Sequence, residues 1–280
     1  MMTALSKTFV DSHFHVFDAA AAQPQARYVP AYDAPLQAWQ AAAQPLGVQR
    51  GVLVQPSFLG ADNSRLVQEL TRHPELLRGV AVVTPDTGRE TLERLHQDGV
   101  RGIRLNLAGR SHRIESWSDA SHLWDVLLAL GWHLELHTDV GALPRVLQQL
   151  PAALPLVIDH MGKPDSVAST DPSVGALVRR ARQAPVHVKL SGAYRLGGRD
   201  PGALARLWLT ELGRQGLLWG SDWPCTNHES EANYPELLNA LYRWLGEDAA
   251  QAVLVDNPHR LYWASAALPG TRLTAKAAPR

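Results

Sequence analysis

The sequence predicts an α/β protein, a single-domain (β/α)8 barrel of the TIM type. Three observations point there. Eight short apolar runs alternate in order with eight helical patterns. Ionisable residues gather where those runs end. No composition break divides the 280 residues. Alternating β and α elements imply a parallel sheet, and eight such units at this length fit a closed barrel better than an open doubly wound sheet. The open sheet is the runner-up, but no G-x-G-x-x-G turn follows the first strand.

The first strand is expected over residues 9–16, where His13 and His15 share one face and Phe14 and Val16 the other. A loop rich in Ala, Gln and Pro (19–35) precedes a helix at 36–46. The run GVLVQP gives a second strand at 51–56, followed by a helix at 64–72. GVAVVT gives a third at 79–84, and its helix covers 89–97. Strands at 100–107, 133–138 and 156–160 are followed by helices at 118–130, 142–150 and 173–183. The last strands, 186–190 and 217–221, are followed by helices at 201–214 and 234–245. A final helix at 248–252 runs on towards 258–263. The barrel is thus assigned to 1–265, and the polar, proline-containing tail 266–280 is expected to fray.

Bulk properties narrow the function. Lys+Arg and Asp+Glu balance at 27 each, which removes a global electrostatic case for nucleic acid or an anionic membrane surface. One cysteine allows no intrachain disulfide and no Cys-based zinc knuckle, as suits a reducing cytosol. Residues 1–7 carry no signal-peptide pattern, and no apolar run approaches the length of a membrane span. A cytoplasmic protein is expected. A homo-oligomer is compatible with the sequence, which does not fix the oligomeric state.

In such a barrel the active site lies at the C-terminal ends of the strands. The first strand brings His13 and His15 there, and the second brings Gln55 and Ser57. The fourth brings Arg104 and Asn106, with Arg110 soon after. His137 and Asp139 end the fifth, and Asp159 and His160 the sixth. Tyr194 and Arg195 follow the seventh, and Asp222, Trp223 and Asn227 the eighth. A lone core histidine is common, but two at one strand end with matching histidines elsewhere point to chemistry. Glu135 shares a face with His137 but lies lower in the barrel, and reads as a buried structural partner.

An HxH pair on strand one, histidines on strands five and six and an aspartate on strand eight resemble the amidohydrolase superfamily. Five segments narrow the likeness: 10–18 (VDSHFHVFD), 101–106 (RGIRLN), 159–165 (DHMGKPD), 218–224 (LWGSDWP) and 254–263 (LVDNPHRLYW). Together they resemble the 2-pyrone-4,6-dicarboxylate lactonases and related lactonases, from the first strand to Trp263. The resemblance implies water attack on a lactone carbonyl, with Asp222 as general base and His13, His15 and His160 polarising the carbonyl. It also implies substrate contacts from Tyr28, Ser57, Arg104, Arg110, Arg195 and Asn227. Arginines suit a small anionic lactone because the guanidinium fork binds carboxylates.

One position departs from that pattern. The dicarboxylate lactonases carry tyrosine at the end of the fifth strand, and this chain carries His137. His137 can touch substrate, or join His13, His15 and Asp222 as ligands of one divalent ion, Zn2+ first. Both the metal-free and the metal-dependent reaction stay open. A zinc-dependent hydrolase or decarboxylase acting on a sugar lactone or sulfomuconolactone type is the alternative. A dead barrel that only senses an acidic metabolite would have no reason to keep His13, His15, His160 and Asp222.

Overall fold

The computed structural model describes residues 8–117 and 120–264. The reading of residues 1–7, the start of the helix at 118–130 and the tail 266–280 lie outside them. Eight strands form one parallel sheet in sequence order. They are β1 (Phe9–Phe14), β2 (Val48–Val54), β3 (Leu77–Ala81), β4 (Val100–Asn106), β5 (His133–His137), β6 (Leu156–Ile158), β7 (Val186–Leu190) and β8 (Leu217–Trp219). The sheet closes on itself at one seam. There the Asp222 amide donates to the His13 carbonyl, and the His15 amide donates to the Trp223 carbonyl, both at 2.8 Å. Gly220 permits this approach, since a Cβ there would lie 2.5 Å from the His13 Cβ.

The helices are α1 (Leu36–Ala43), α2 (Ser64–Arg72), α3 (Arg89–Gln97), α4 (Ser121–Ala129), α5 (Leu143–Leu147), α6 (Pro172–Ala181), α7 (Pro201–Leu212), α8 (Tyr234–Leu245) and α9 (Glu247–Gln251). Three starts follow from the sequence. Asp171, Asp200 and Asn233 each accept a backbone N–H of the first turn, and a proline follows each cap. Such a cap contributes about 0.5–2 kcal/mol, and proline costs nothing where the N–H has no helical partner. Beyond α9 the chain continues in wide π-type turns over Ala252–Asp256 and His259–Trp263. No helix among the described residues is long and apolar enough to cross a membrane.

Two apolar layers hold the barrel. The larger lies between sheet and helices and includes Phe14, Trp39, Trp132, Trp208 and Trp219. The smaller includes Val10, Val52, Val54, Val157, Leu218 and Tyr262. On β2 the layers alternate residue by residue, with Leu53 in the larger cluster and Val52 and Val54 in the smaller. β1 is less regular, because its pairing with β2 shifts between Asp11 and Phe14. Phe14 stacks on Trp39 at 4.1 Å, while His13 and His15 both approach Asp222. The residues on either side of Phe14 therefore share the site-facing side, as the sequence implied.

Candidate active site

A cavity of about 280 Å³ opens at the strand ends. Its lining includes His15, His137, His160, Asp222, Arg104 and Arg195, together with Tyr28 and Asn227. Asp222 sits just past β8 in a left-handed conformation (φ 60) and is 2% exposed. Its Oδ2 accepts hydrogen bonds from Tyr194 Oη and Arg195 Nε, both at 2.8 Å. Its Oδ1 faces three imidazole nitrogens: His15 Nε2 at 3.4 Å, His13 Nε2 at 3.5 Å and His160 Nε2 at 3.9 Å. Burial pushes the Asp222 carboxyl up, but Arg195 and the histidines outweigh it and hold it well below its ordinary range. Burial and the adjacent Asp222 push the Tyr194 phenol up, so it stays a donor.

The other nitrogen of each ring fixes what the ring can offer. His15 Nδ1 lies 2.7 Å from the Val54 carbonyl, which can only accept. The proton of a neutral His15 is therefore on Nδ1, and Nε2 aims a lone pair at Asp222. Ser191 Oγ accepts the His160 amide at 3.3 Å and lies 3.0 Å from His160 Nδ1. Its hydroxyl proton is free to bond Nδ1, which leaves an N–H on His160 Nε2. His13 Nδ1 lies 3.1 Å from both Lys189 Nζ and Asp159 Oδ1. A cation and an anion thus share that nitrogen, and His13 Nε2 can present either a proton or a lone pair.

Below this ring of groups is a buried charge network. Arg104 donates through Nε and Nη2 to Asp159 Oδ2, at 3.0 and 2.9 Å. Lys189 Nζ bonds Glu135, and both side chains are fully buried. Burial and the nearby Asp159 push the Glu135 carboxyl up to about 8, against the pull of Lys189 and Arg104. Burial opposes ionisation of Asp159 too, but His13, Arg104 and Lys189 hold it well below its ordinary range.

Burial also lowers three of the rings: His13 and His137 well below the ordinary 6.5, and His160 to about 3. All three are neutral near neutral pH. An NMR pH titration of the histidine side chains is therefore expected to find these three rings unprotonated through the usual histidine range near 6.5. Protonation of any of the three in that range would overturn the assignment.

A metal can be tested against the same atoms. A neutral His15 would set a lone pair 3.4 Å from the anionic Oδ1 of Asp222, two acceptors that call for a proton or a cation between them. Donor atoms of His13, His15 and Asp222 lie within 4.8 Å of one another, and so do those of His13, Asp159 and His160. Two histidines and a carboxylate suit Zn2+ or a similar divalent ion. Of the four ligands expected from the sequence, His13, His15 and Asp222 converge in this way. His137 lies outside both groups, and its Nε2 is 2.9 Å from Lys163 Nζ.

The other expected contacts divide. Tyr28 and Asn227 line the cavity, whereas Ser57 and Arg110 do not. Ser57 begins a short 3-10 turn, and its neighbour Pro56 lines the wall instead. Arg110 is exposed on the β4 loop. Arg27, from the long first loop, stands in the wall and donates through Nη1 to the Ala108 carbonyl. The sequence reading did not single out Arg27, Lys163 or Lys189. A signal existed for Lys189: a lysine inside the apolar run VHVKL must find a buried partner.

The chain is similar to known lactone hydrolases. A 2-pyrone-4,6-dicarboxylate hydrolase of Comamonas testosteroni is 32% identical over 276 residues, covering 91% of this chain and 90% of that protein. A 4-sulfomuconolactone hydrolase of Rhizobium radiobacter is 31% identical, covering 92% of this chain and 91% of that protein. A crystal structure from Pseudomonas putida, assigned as a 2-pyrone-4,6-dicarboxylic acid hydrolase, matches with a TM-score of 0.80 at 35% identity. It covers 92% of this chain and 98% of the other. With the amidohydrolase signature matching residues 10–263, the chain belongs to the amidohydrolase family and groups there with lactone hydrolases.

Proposed function

We propose that the protein hydrolyses a lactone bearing two anionic groups, of the pyrone-dicarboxylate type, by attack of water on the ring carbonyl. One observation carries this reading. A single anionic carboxylate, Asp222, stands among histidines, while three guanidinium groups, Arg27, Arg104 and Arg195, line the same cavity. A neutral lactone would gain little from three arginines. Arg104 and Arg195 each bond the protein through Nε and Nη2, and a guanidinium has five N–H donors, so each keeps some for substrate.

Asp222 Oδ1 takes a proton from water as the water oxygen bonds to the carbonyl carbon. The His160 Nε2–H, supported by Ser191, donates to the oxyanion that develops. The ring C–O bond then breaks, and the proton held by Asp222 goes to the leaving ring oxygen. His15, with its lone pair turned to Asp222, holds the water rather than the carbonyl. If a divalent ion is bound, His13, His15 and Asp222 would hold it, and it would polarise the carbonyl and acidify the water.

The second reading is a metal-dependent hydrolase of a sulfonated lactone. It is supported by the converging donors of His13, His15 and Asp222 and by the sulfomuconolactone-hydrolase relative. A lactone panel, assayed with and without chelator, separates the two. The dicarboxylated pyrone should turn over fastest and survive chelation. Preference for the sulfonated lactone with loss of activity on chelation would favour the second reading. Arg27→Met should raise KM for the dicarboxylated pyrone about tenfold and leave a neutral lactone unchanged, because one charge-assisted hydrogen bond is lost. Equal KM changes for both would remove Arg27 as a carboxylate contact.

A further inference from the structure

Lys163 and Lys189 are the two lysines among the described residues, and both are buried in the barrel. Lys189 belongs to the network beneath His13. Lys163 has no part in the hydrolysis as derived above, yet its chain takes a left-handed conformation (φ 42) after β6, and its Nζ lies 2.9 Å from His137 Nε2. An ammonium has N–H groups and no lone pair, so Lys163 donates and His137 Nε2 accepts. A neutral imidazole that accepts at Nε2 carries its proton on Nδ1.

That Nδ1 is buried and has no hydrogen-bond partner among the described residues. An unpaired buried donor is costly unless a ligand accepts it. The ring lines the cavity, edge-on to His160 with centroids 4.6 Å apart. It is outside the donor groups that close on Asp222 and Asp159.

We propose that Lys163 is a positioning residue that fixes His137 as the Nδ1–H tautomer, and that this N–H donates to a carboxylate oxygen of the substrate. The carboxylate half rests on the lactonase reading above, while the tautomer half stands without it. Two measurements test them apart.

The first is long-range 1H–15N NMR of the full chain labelled at histidine, with the His137 signal identified by its loss in His137→Gln. The wild type should show His137 as Nδ1–H without any substrate. Lys163→Met should move it to Nε2–H, and Lys163→Gln, which keeps N–H donors, should retain the wild-type tautomer. A wild-type Nε2–H tautomer, or no change in Lys163→Met, overturns the positioning role. If Lys163→Met does not fold, the wild-type and Lys163→Gln spectra still decide.

The second is kinetic. Lys163→Met should raise KM for a dicarboxylated lactone about tenfold, the loss of one hydrogen bond to a charged group, with kcat nearly unchanged. A neutral lactone should be unaffected, and Lys163→Gln should recover most of the loss. An equal fall of kcat on both lactones overturns the carboxylate role. A wild type that turns over no lactone refutes the lactonase reading and with it the carboxylate half, while the NMR result still decides the tautomer.

Discussion

Asp222→Asn should lower kcat by about 10²–10⁴, the usual contribution of a positioned general base. The amide keeps an oxygen that can accept from Tyr194 Oη and Arg195 Nε, which now hold Oδ2, so the local frame should survive. What disappears is the anionic Oδ1 that faces His13, His15 and His160. KM for a carboxylated lactone should change little, because the arginines of the wall are untouched. The check is steady-state kinetics beside a denaturant melt of the same variant. A wild-type rate in a folded variant would sink the base assignment.

Arg104→Met should be the most destabilising change at the site. The sequence suggested a plain substrate clamp, and the structure gives Arg104 a second duty. Its guanidinium holds buried Asp159 through two hydrogen bonds and approaches Glu135 at 3.5 Å. Removing it leaves two buried carboxylates with Lys189 as their remaining cation in this network. Breaking a buried pair from one side costs about 3–5 kcal/mol. Because Asp159 also faces His13 Nδ1, kcat should fall together with stability. Urea unfolding and kinetics on the same preparation would read both. A variant within about 1 kcal/mol of wild type, with only KM altered, would restore the simple clamp.

These two cases show what could be read from the sequence. His13, His15, His160 and Asp222 were visible because strand periodicity and local motifs place them, and neither depends on distant parts of the chain. All eight strands were legible for the same reason, though several end a residue or two earlier than their apolar runs. Partner choice was not legible. Lys189 meets His13 across 176 residues of sequence, and Arg104 meets Asp159 across 55. Nothing local to either residue reports such a pairing. Arg27 lies in a loop without periodicity, so no pattern marked it, while Arg110 matched a familiar spacing yet is exposed and outside the cavity lining. His137 was read as touching substrate or holding a metal, and its contact with Lys163 was not legible, because Lys163 arrives from the next strand-to-helix loop.

The seam that closes the barrel also sets when the enzyme can first work. Asp11, beside the HxH pair, accepts from Ser221 N at 2.9 Å and from Ser221 Oγ at 2.6 Å, across 210 residues. It also accepts from Trp39 Nε1 and Tyr234 Oη, so the first strand, the first helix, the eighth strand end and the eighth helix meet on one carboxylate. Contacts of such sequence separation are slow to form, because the whole intervening chain must be ordered or looped out. A nascent or truncated chain lacking the eighth strand has the two histidines but not the Asp222 carboxylate that faces them. Recovered activity in a refolding experiment therefore times the joining of the two ends of the barrel, rather than the formation of its individual β/α units.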